Sequence, residues 1–241
     1  MKWTEEFKVR FHETDMNEVV TVPNIFKYIQ EVAMSQISTQ SPTYKELLAI
    51  GKAYILSTIR IDMYQPICYG QTVDVSTWAS PSKGYRFTRC YDIRRGDEMF
   101  CEAISSWALV SKNDRSLTKV EDIDVSNYAT HEPVQLEHSL RIHISPELPM
   151  SLVGEYTVSY TDIDFNSHMN NTNYSRIICD CIPNIENLRI KSIGIAYKNE
   201  AKYKETMKIY MTKLDGTLYF RTVLPDGSTN IECEIITENL A

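Results

Sequence analysis

The order of hydrophobic and polar residues along the chain predicts many short strands and two buried helices. Residues 25–37 carry apolar side chains with a period of about 3.6, which is typical of a helix buried along one face. Residues 174–181 follow the same period until Pro183, where a helix cannot continue. Elsewhere apolar and polar residues alternate, as they do in strands with one buried face. The predicted strand segments are residues 5–11, 53–78 (strands separated by a turn around residues 65–70), 85–93, 98–110, 155–160, 189–197, 205–213, 218–223 and 230–236.

The two halves of the chain repeat one order of elements: a strand, a polar loop, a helix and a run of strands. Residues 15–17 align with residues 164–166 at an offset of 149, and residues 69–72 align with residues 203–206 at an offset of 134. Because an antiparallel sheet has one apolar face to cover, we expect the helix of each half to cover its sheet. The polar segment 111–149 is interpreted as the connector between the halves.

The polar loop of the second half holds the candidate chemistry. Asp164, Asn166 and His168 are spaced two residues apart, so in extended chain their side chains point the same way. They directly precede a predicted helix, where free backbone N–H groups and the positive end of the helix dipole favour a developing oxyanion. The alternative is an ordinary loop with a helix cap, which Asp, Asn and Ser commonly form. The first half has Val19 at the position of His168, so a single active site is expected on the second half.

Composition excludes several classes of function. The chain has 241 residues, enough for two domains of about 120. No apolar run approaches the ~18 residues of a membrane helix, and the charged N-terminus is unlike a signal peptide, which predicts a cytoplasmic protein without a membrane span. The net charge of −7 argues against a nucleic-acid partner. The six cysteines form no metal-binding spacing and there is no phosphate-cradling glycine loop, so neither a metal nor another cofactor is expected.

The loop and its flanking elements resemble a known enzyme family. A strand, the string Asp164-x-Asn166-x-His168-x-Asn170-Asn171 and a buried helix are similar to the fatty acyl–acyl carrier protein thioesterases of plant plastids and bacteria. The resemblance implies an α+β fold with two tandem hot-dog domains, each a long buried helix wrapped by an antiparallel sheet. Residues 1–140 would form the N-terminal domain with the connector and the acyl-chain pocket, and residues 141–241 the C-terminal domain with the catalytic residues. No plastid transit peptide is evident, which predicts a bacterial-type enzyme.

The resemblance also assigns roles to residues. The catalytic glutamate of the family falls on Glu200, and the cysteine next to it is replaced by Ala201, so a thiol nucleophile is not expected. Glu200 and His168 would activate water, or Asp164 would attack directly through a transient anhydride. Asn166 would hold the substrate carbonyl or orient Asp164. Without the resemblance, Glu200 would be interpreted as a solvated strand residue.

The implied function is hydrolysis of fatty acyl–acyl carrier protein thioesters in fatty acid biosynthesis. The alternatives are an acyl-coenzyme A thioesterase, a hot-dog hydratase or dehydratase, and a non-catalytic acyl-binding module. Carrier proteins are acidic, and the segment 189–213 holds seven basic residues against two acidic ones. Lys198, Lys202 and Lys204 are therefore candidates for carrier-protein binding, although exposed strands also use lysine to blunt their edges. The oligomeric state is left open, with a homodimer among the options.

Overall fold

The computed structural model describes residues 2–125 and 127–240. The chain divides into two compact units, Met1–Glu137 and His138–Ala241. In each unit one helix follows a first strand and a loop, and the remaining strands come after it. Within the described ranges, no helix is both long enough and apolar enough to cross a membrane.

The first unit is built on an antiparallel sheet with the strand order β1-β3-β4-β5-β2, and β6 pairs with the far end of β5. Single 3-10 turns lie at Phe11–Glu13 and Val120–Asp122. The regular elements are β1 (Trp3–Lys8), α1 (Val22–Thr39), α2 (Tyr44–Ala49), β2 (Lys52–Met63), β3 (Thr72–Lys83), β4 (Arg86–Arg95), β5 (Glu98–Ser111) and β6 (Leu117–Thr118).

Helix α1 confirms the apolar period of residues 25–37. Pro23 occupies its first turn, where the missing N–H costs nothing and the fixed φ suits a helix. One face buries Ile25, Ile29 and Val32 against the sheet. Burying three such side chains contributes about 5–9 kcal/mol at 1.5–3 kcal/mol each, so packing rather than intrinsic propensity stabilises this helix.

The second unit repeats this plan with the strand order β8-β11-β10-β9-β7, again antiparallel. Single 3-10 turns lie at Tyr160–Asp162 and Ile185–Asn187. The regular elements are β7 (Ser151–Thr157), α3 (Asn171–Cys179), β8 (Leu188–Tyr197), β9 (Thr206–Leu214), β10 (Thr217–Val223) and β11 (Thr229–Asn239).

Helix α3 is half as long as the helix of the first unit, with 9 residues against 18. The expectation of a long helix in each half is therefore wrong for the second half. Helical conformation is disfavoured directly before a proline, so Pro183 ends the helical path. The chain then reverses at Asn184, which has a φ of 53°.

The internal repeat is visible in the backbone of the two loops. Residues 14–20 and residues 163–169 each close through one antiparallel bridge between their end residues. The fifth residue of each loop adopts a left-handed conformation, with φ 62° at Glu18 and 69° at Ser167. An offset of 149 relates both features, as the sequence predicted.

Candidate active site

The loop before α3 is held by a tight set of hydrogen bonds around Asp164. Its Oδ1 accepts the N–H of Asn166 at 2.8 Å, and its own N–H donates to the carbonyl of His168 at 3.0 Å. The N–H of Ser167 donates to the Asp164 carbonyl at 3.0 Å. A side-chain carboxylate that bonds its own backbone two residues on is a typical turn former. The loop therefore fixes the backbone from which the imidazole of His168 projects.

The imidazole of His168 meets the carboxylate of Glu200. The distance from His168 Nε2 to Glu200 Oε2 is 3.0 Å, and about a third of each side chain is exposed, 30% and 31%. An imidazole hydrogen-bonded to a carboxylate can accept a proton from water and return it to a leaving group. The partial exposure leaves room for water and a substrate beside the pair.

A buried amide positions the segment that carries Glu200, which lies between β8 and β9. Asn230 is fully buried on β11, and its Nδ2 donates to the carbonyl of Asn199 and to the hydroxyl of Tyr174 at 3.1 Å. The backbone carbonyl of Ala201 accepts the N–H of Met169 at 3.0 Å, which ties the Glu200 segment to the His168 loop. The sequence analysis missed Asn230, although an asparagine among the apolar residues of a strand is a detectable signal.

Asp162 anchors the same loop from the β7 side and is 5% exposed. Its Oδ2 accepts the hydroxyl of Tyr156 at 2.6 Å and the N–H of Ser159 at 2.8 Å, and Arg176 on α3 approaches Oδ1 at 3.4 Å. Such a buried, hydrogen-bonded carboxylate stabilises the loop and is not placed to react with a substrate. The sequence analysis did not distinguish it from the exposed acids beside it.

Asp164 and Asn166 lie on the loop with the imidazole, Asp164 half-buried and Asn166 exposed. The first unit contains the same turn without an imidazole: Asp15 Oδ1 accepts the N–H of Asn17 at 2.8 Å and that of Val19 at 3.1 Å. Shaping the turn is therefore a role of this aspartate that does not depend on catalysis.

The three candidate lysines lie between β8 and β9 rather than on a strand, which corrects the interpretation as a strand face. Lys198 Nζ is 3.6 Å from Glu232 Oε2, so its charge is partly neutralised. Lys202 and Lys204 are exposed, and Lys204 Nζ lies 5.1 Å from the ring centre of Tyr203. The basic surface close to Glu200 therefore rests mainly on Lys202 and Lys204.

The thiols of Cys90, Cys179 and Cys181 are poor nucleophiles in this environment. Burial raises the pKa of Cys179 to about 12 and raises those of Cys90 and Cys181 as well, so these thiols stay protonated at neutral pH. Ala201, beside Glu200, is fully buried. Across residues 2–125 and 127–240, no group of His, Cys, Asp and Glu side chains is arranged to hold a metal ion.

Comparison with known proteins identifies the family. The family model described as the acyl-ACP thioesterase N-terminal domain matches residues 1–128, and that of the acyl-ACP thioesterase C-terminal domain matches residues 147–238. The oleoyl-acyl carrier protein thioesterase 2 of Arabidopsis thaliana, a chloroplastic protein, is 24% identical over 89% of this chain and 66% of its own length. The chloroplastic palmitoyl-acyl carrier protein thioesterase of the same plant is 22% identical over 81% of this chain and 51% of its own length.

A solved structure shares the fold. The acyl-ACP thioesterase from Bacteroides thetaiotaomicron superposes with a TM-score of 0.89 at 20% identity, covering 98% of each chain. The chain spans between about half and two thirds of the length of the two plant relatives. The two family models together cover nearly the whole sequence. The chain belongs to the acyl-ACP thioesterase family.

Proposed function

We propose that the protein hydrolyses fatty acyl–acyl carrier protein thioesters to a free fatty acid and the holo carrier protein. The observation that carries the proposal is the 3.0 Å contact between Glu200 and His168, of which His168 lies on the loop that carries the family motif. The repeat supports it, because the corresponding loop of the first unit has Val19 in place of the imidazole. Membership of the thioesterase family supplies the reaction class.

In the proposed mechanism, the pair of Glu200 and His168 removes a proton from water, and the resulting hydroxide attacks the thioester carbonyl carbon. The C–S bond of the tetrahedral intermediate then breaks, and the proton taken from water passes to the departing sulfur. A thiol with a pKa near 8.5 leaves with little acid assistance, so one proton-carrying pair suffices. The amide of Asn166 and the positive end of α3 would stabilise the negative oxygen.

Direct attack by Asp164 on the carbonyl carbon, through an anhydride, is the alternative chemistry. Because Asp164 Oδ1 accepts the N–H of Asn166 at 2.8 Å, Oδ2 would be the attacking atom. The 3.0 Å contact between His168 and Glu200 supports water activation as the main proposal. A solvent-oxygen experiment tests this alternative: during a single turnover in heavy-oxygen water, label in the Asp164 carboxylate would arise through the anhydride and not through water activation.

We also propose the finer architecture of the family for this chain. Residues 1–140 would form a hot-dog domain that holds the acyl chain, and residues 141–241 a second one that holds the catalytic residues. Support comes from two compact units with matching strand orders and matching loops. The 18-residue helix of the first unit offers a longer apolar face than the 9-residue helix of the second. A cytoplasmic location and a homodimer stay predictions.

The carrier protein would dock on the segment between β8 and β9. Reversing Lys198, Lys202 and Lys204 to glutamate is expected to raise the KM for acyl–carrier protein substrates by about tenfold or more at low salt, because steering an acidic partner speeds association. The effect should shrink with added salt, since the Debye length is only about 8 Å at physiological strength. Hydrolysis of a short acyl-pantetheine should barely change. Steady-state kinetics on both substrates measure the difference.

A matched control reverses three exposed lysines of the first unit, Lys83, Lys112 and Lys119, and so changes the net charge equally. This control should leave the KM for the carrier protein substrate within about twofold, because it changes the net charge equally without altering the segment between β8 and β9. Equal losses on both substrates by the first variant would mean that its lysines serve the site or the fold instead of docking.

Thiol-blocking reagents are expected not to inactivate the enzyme through its active site. Desolvation raises the pKa of the half-buried Cys179 to about 12, and Ala201 replaces the thiol of the family motif. The measurement is residual activity after alkylation, with mass spectrometry to locate the modified residues. If alkylation of a single cysteine inactivates the enzyme, and if bound substrate prevents that alkylation, a thiol mechanism would be restored.

A release assay tests the function itself. Free thiol is measured from acyl–carrier protein and from acyl-coenzyme A, and hydration is measured with an enoyl thioester. The proposal expects faster thiol release from the carrier protein substrate. Preference for coenzyme A esters would indicate the first alternative, hydration would indicate a hydratase, and binding without release would indicate an acyl-binding module.

A further inference from the structure

The interior of the first unit contains a guanidinium group that no described carboxylate neutralises. Arg89 on β4 is 9% exposed, and its Nη1 donates to Gln36 Oε1 on α1 and to Thr77 Oγ1 on β3, the latter at 3.1 Å. A guanidinium has five N–H donors, and both of these bonds use one nitrogen. Buried charges are normally paired, because desolvating an isolated charge is costly. Arg89 therefore needs an explanation.

The neighbours of Arg89 are also polar. The hydroxyl of Tyr91 lies 3.2 Å from Ser105 Oγ, and the same Oγ accepts the indole N–H of Trp107 at 2.7 Å. These side chains form one band between α1 and the middle of the sheet. We call it the polar layer, and its members are Gln36, Thr77, Arg89, Tyr91 and Ser105.

The second unit fills the corresponding positions with apolar side chains. Strand register fixes the comparison: Thr77 faces Tyr91 on the neighbouring strand, and 134 residues after Thr77, Met211 faces Phe220 in the same way. The next strand aligns Ser105 beside Arg89 in one unit and Ile235 beside Leu218 in the other. Leu218, Phe220 and Ile235 are 5%, 0% and 0% exposed. This fold therefore packs without a polar layer, and the first unit has one for another reason.

The polar layer ends a long apolar face. Helix α1 presents Ile25, Ile29 and Val32 to the interior before it reaches Gln36. From the helix start at Val22 to Gln36 the axis advances about 21 Å at 1.5 Å per residue. An unsubstituted acyl chain that entered at the N-terminal end of α1 and lay along this face would meet apolar groups first and the guanidinium last.

We propose that Arg89 and its polar layer close the acyl pocket of the first unit and limit the length of the acyl chain that the enzyme accepts. This rests on the proposed function and its acyl pocket. A terminal methyl group that reached Arg89 would strip water from N–H donors that have no acceptor among the described residues, and it could not replace those hydrogen bonds. Longer chains would gain nothing from their additional methylene groups.

Replacing Arg89 by leucine, the residue at the repeat-related position, is expected to shift the preference to longer chains. The measurement is kcat/KM over a series of saturated acyl thioesters of increasing length. For chains that pass the layer, the ratio of long-chain to short-chain kcat/KM should rise by roughly fourfold per methylene group newly buried. The gain should lie in KM, since the added contacts are made equally in the ground state and the transition state. Arg89→Met, which keeps an unbranched stem, should shift the ratio in the same direction.

The matched control is Leu218→Met, the same position in the second unit and a substitution that nearly conserves volume. It should leave the chain-length ratio unchanged. A measurement on the unaltered enzyme is independent of how the variants fold: the affinity for product fatty acids, by calorimetry, should rise with chain length and then stop rising.

Two results would overturn the inference without touching the proposed function. One is an unchanged ratio in folded, active Arg89 variants, and the other is an affinity that keeps rising through the whole fatty acid series. Failure of the unaltered enzyme to hydrolyse any acyl thioester would instead overturn the proposed function, and the inference with it.

Discussion

Replacing His168 by alanine or Glu200 by glutamine is expected to lower kcat/KM for acyl–carrier protein substrates by a factor on the order of 10²–10⁴. The first change removes the imidazole, and the second removes the negative charge of the carboxylate that lies 3.0 Å from it. The attacking water then has no His168–Glu200 pair to accept its proton. Because the proposed proton transfer belongs to the transition state, the loss should appear in kcat as much as in kcat/KM.

The losses in kcat/KM from changing His168 and Glu200 should not add. The double variant is expected to be about as slow as the slower single variant, because removing either partner already disables the pair. Additive losses from His168 and Glu200 would mean that the two side chains act at separate steps.

The repeat supplies a control for folding. Val19 occupies the place of His168 in the loop of the first unit, and its replacement by alanine should leave kcat unchanged within about twofold, as expected away from the site. Both sets of variants are compared by thermal unfolding, since His168 and Glu200 are partly exposed and should contribute little to stability. Turnover near that of the unaltered enzyme in His168→Ala or Glu200→Gln would remove them from the mechanism.

Local patterns in the sequence predict many of the helices and strands of the fold. The 3.6-residue period of α1 and the alternation of the strands follow from side chains that face one core, so each can be detected within a short window. The offset of 149 predicted the matching loops for the same reason, because turn geometry depends on a few neighbouring residues.

Long-range partners escaped the sequence analysis. Only the family resemblance linked Glu200 to His168, since 32 positions separate the two residues in the chain. The roles of Asn230 and Arg89 depend on hydrogen bonds to residues that are distant in the sequence, and no local pattern predicts those contacts. Lys198 is a positive charge without a partner in the sequence, whereas the structure pairs it with Glu232 on β11.

The second large effect is expected at Asp164. Alanine at this position removes the acceptor that holds the N–H of Asn166 at 2.8 Å, so the loop that presents His168 loosens. Misplacing a catalytic group by about 1 Å can cost about 10²-fold in rate, and we expect Asp164→Ala to lose kcat/KM on that order. Asparagine keeps a side-chain oxygen at the same place and should recover about tenfold of the loss, since a neutral acceptor bonds the backbone more weakly than a carboxylate.

Asp15 makes the matching bond to Asn17 at 2.8 Å in the first unit, where no imidazole depends on it. Asp15→Ala is therefore expected to lower the free energy of unfolding by about 0.5–2 kcal/mol, by analogy with helix caps. It should not lower kcat/KM. If Asp164→Asn is as inactive as Asp164→Ala, the negative charge itself is required. Label from heavy-oxygen water in the Asp164 carboxylate would then identify that residue as the nucleophile. Because the shape of the turn is common to both units, the difference between the Asp15 and Asp164 variants isolates what the aspartate does for the reaction.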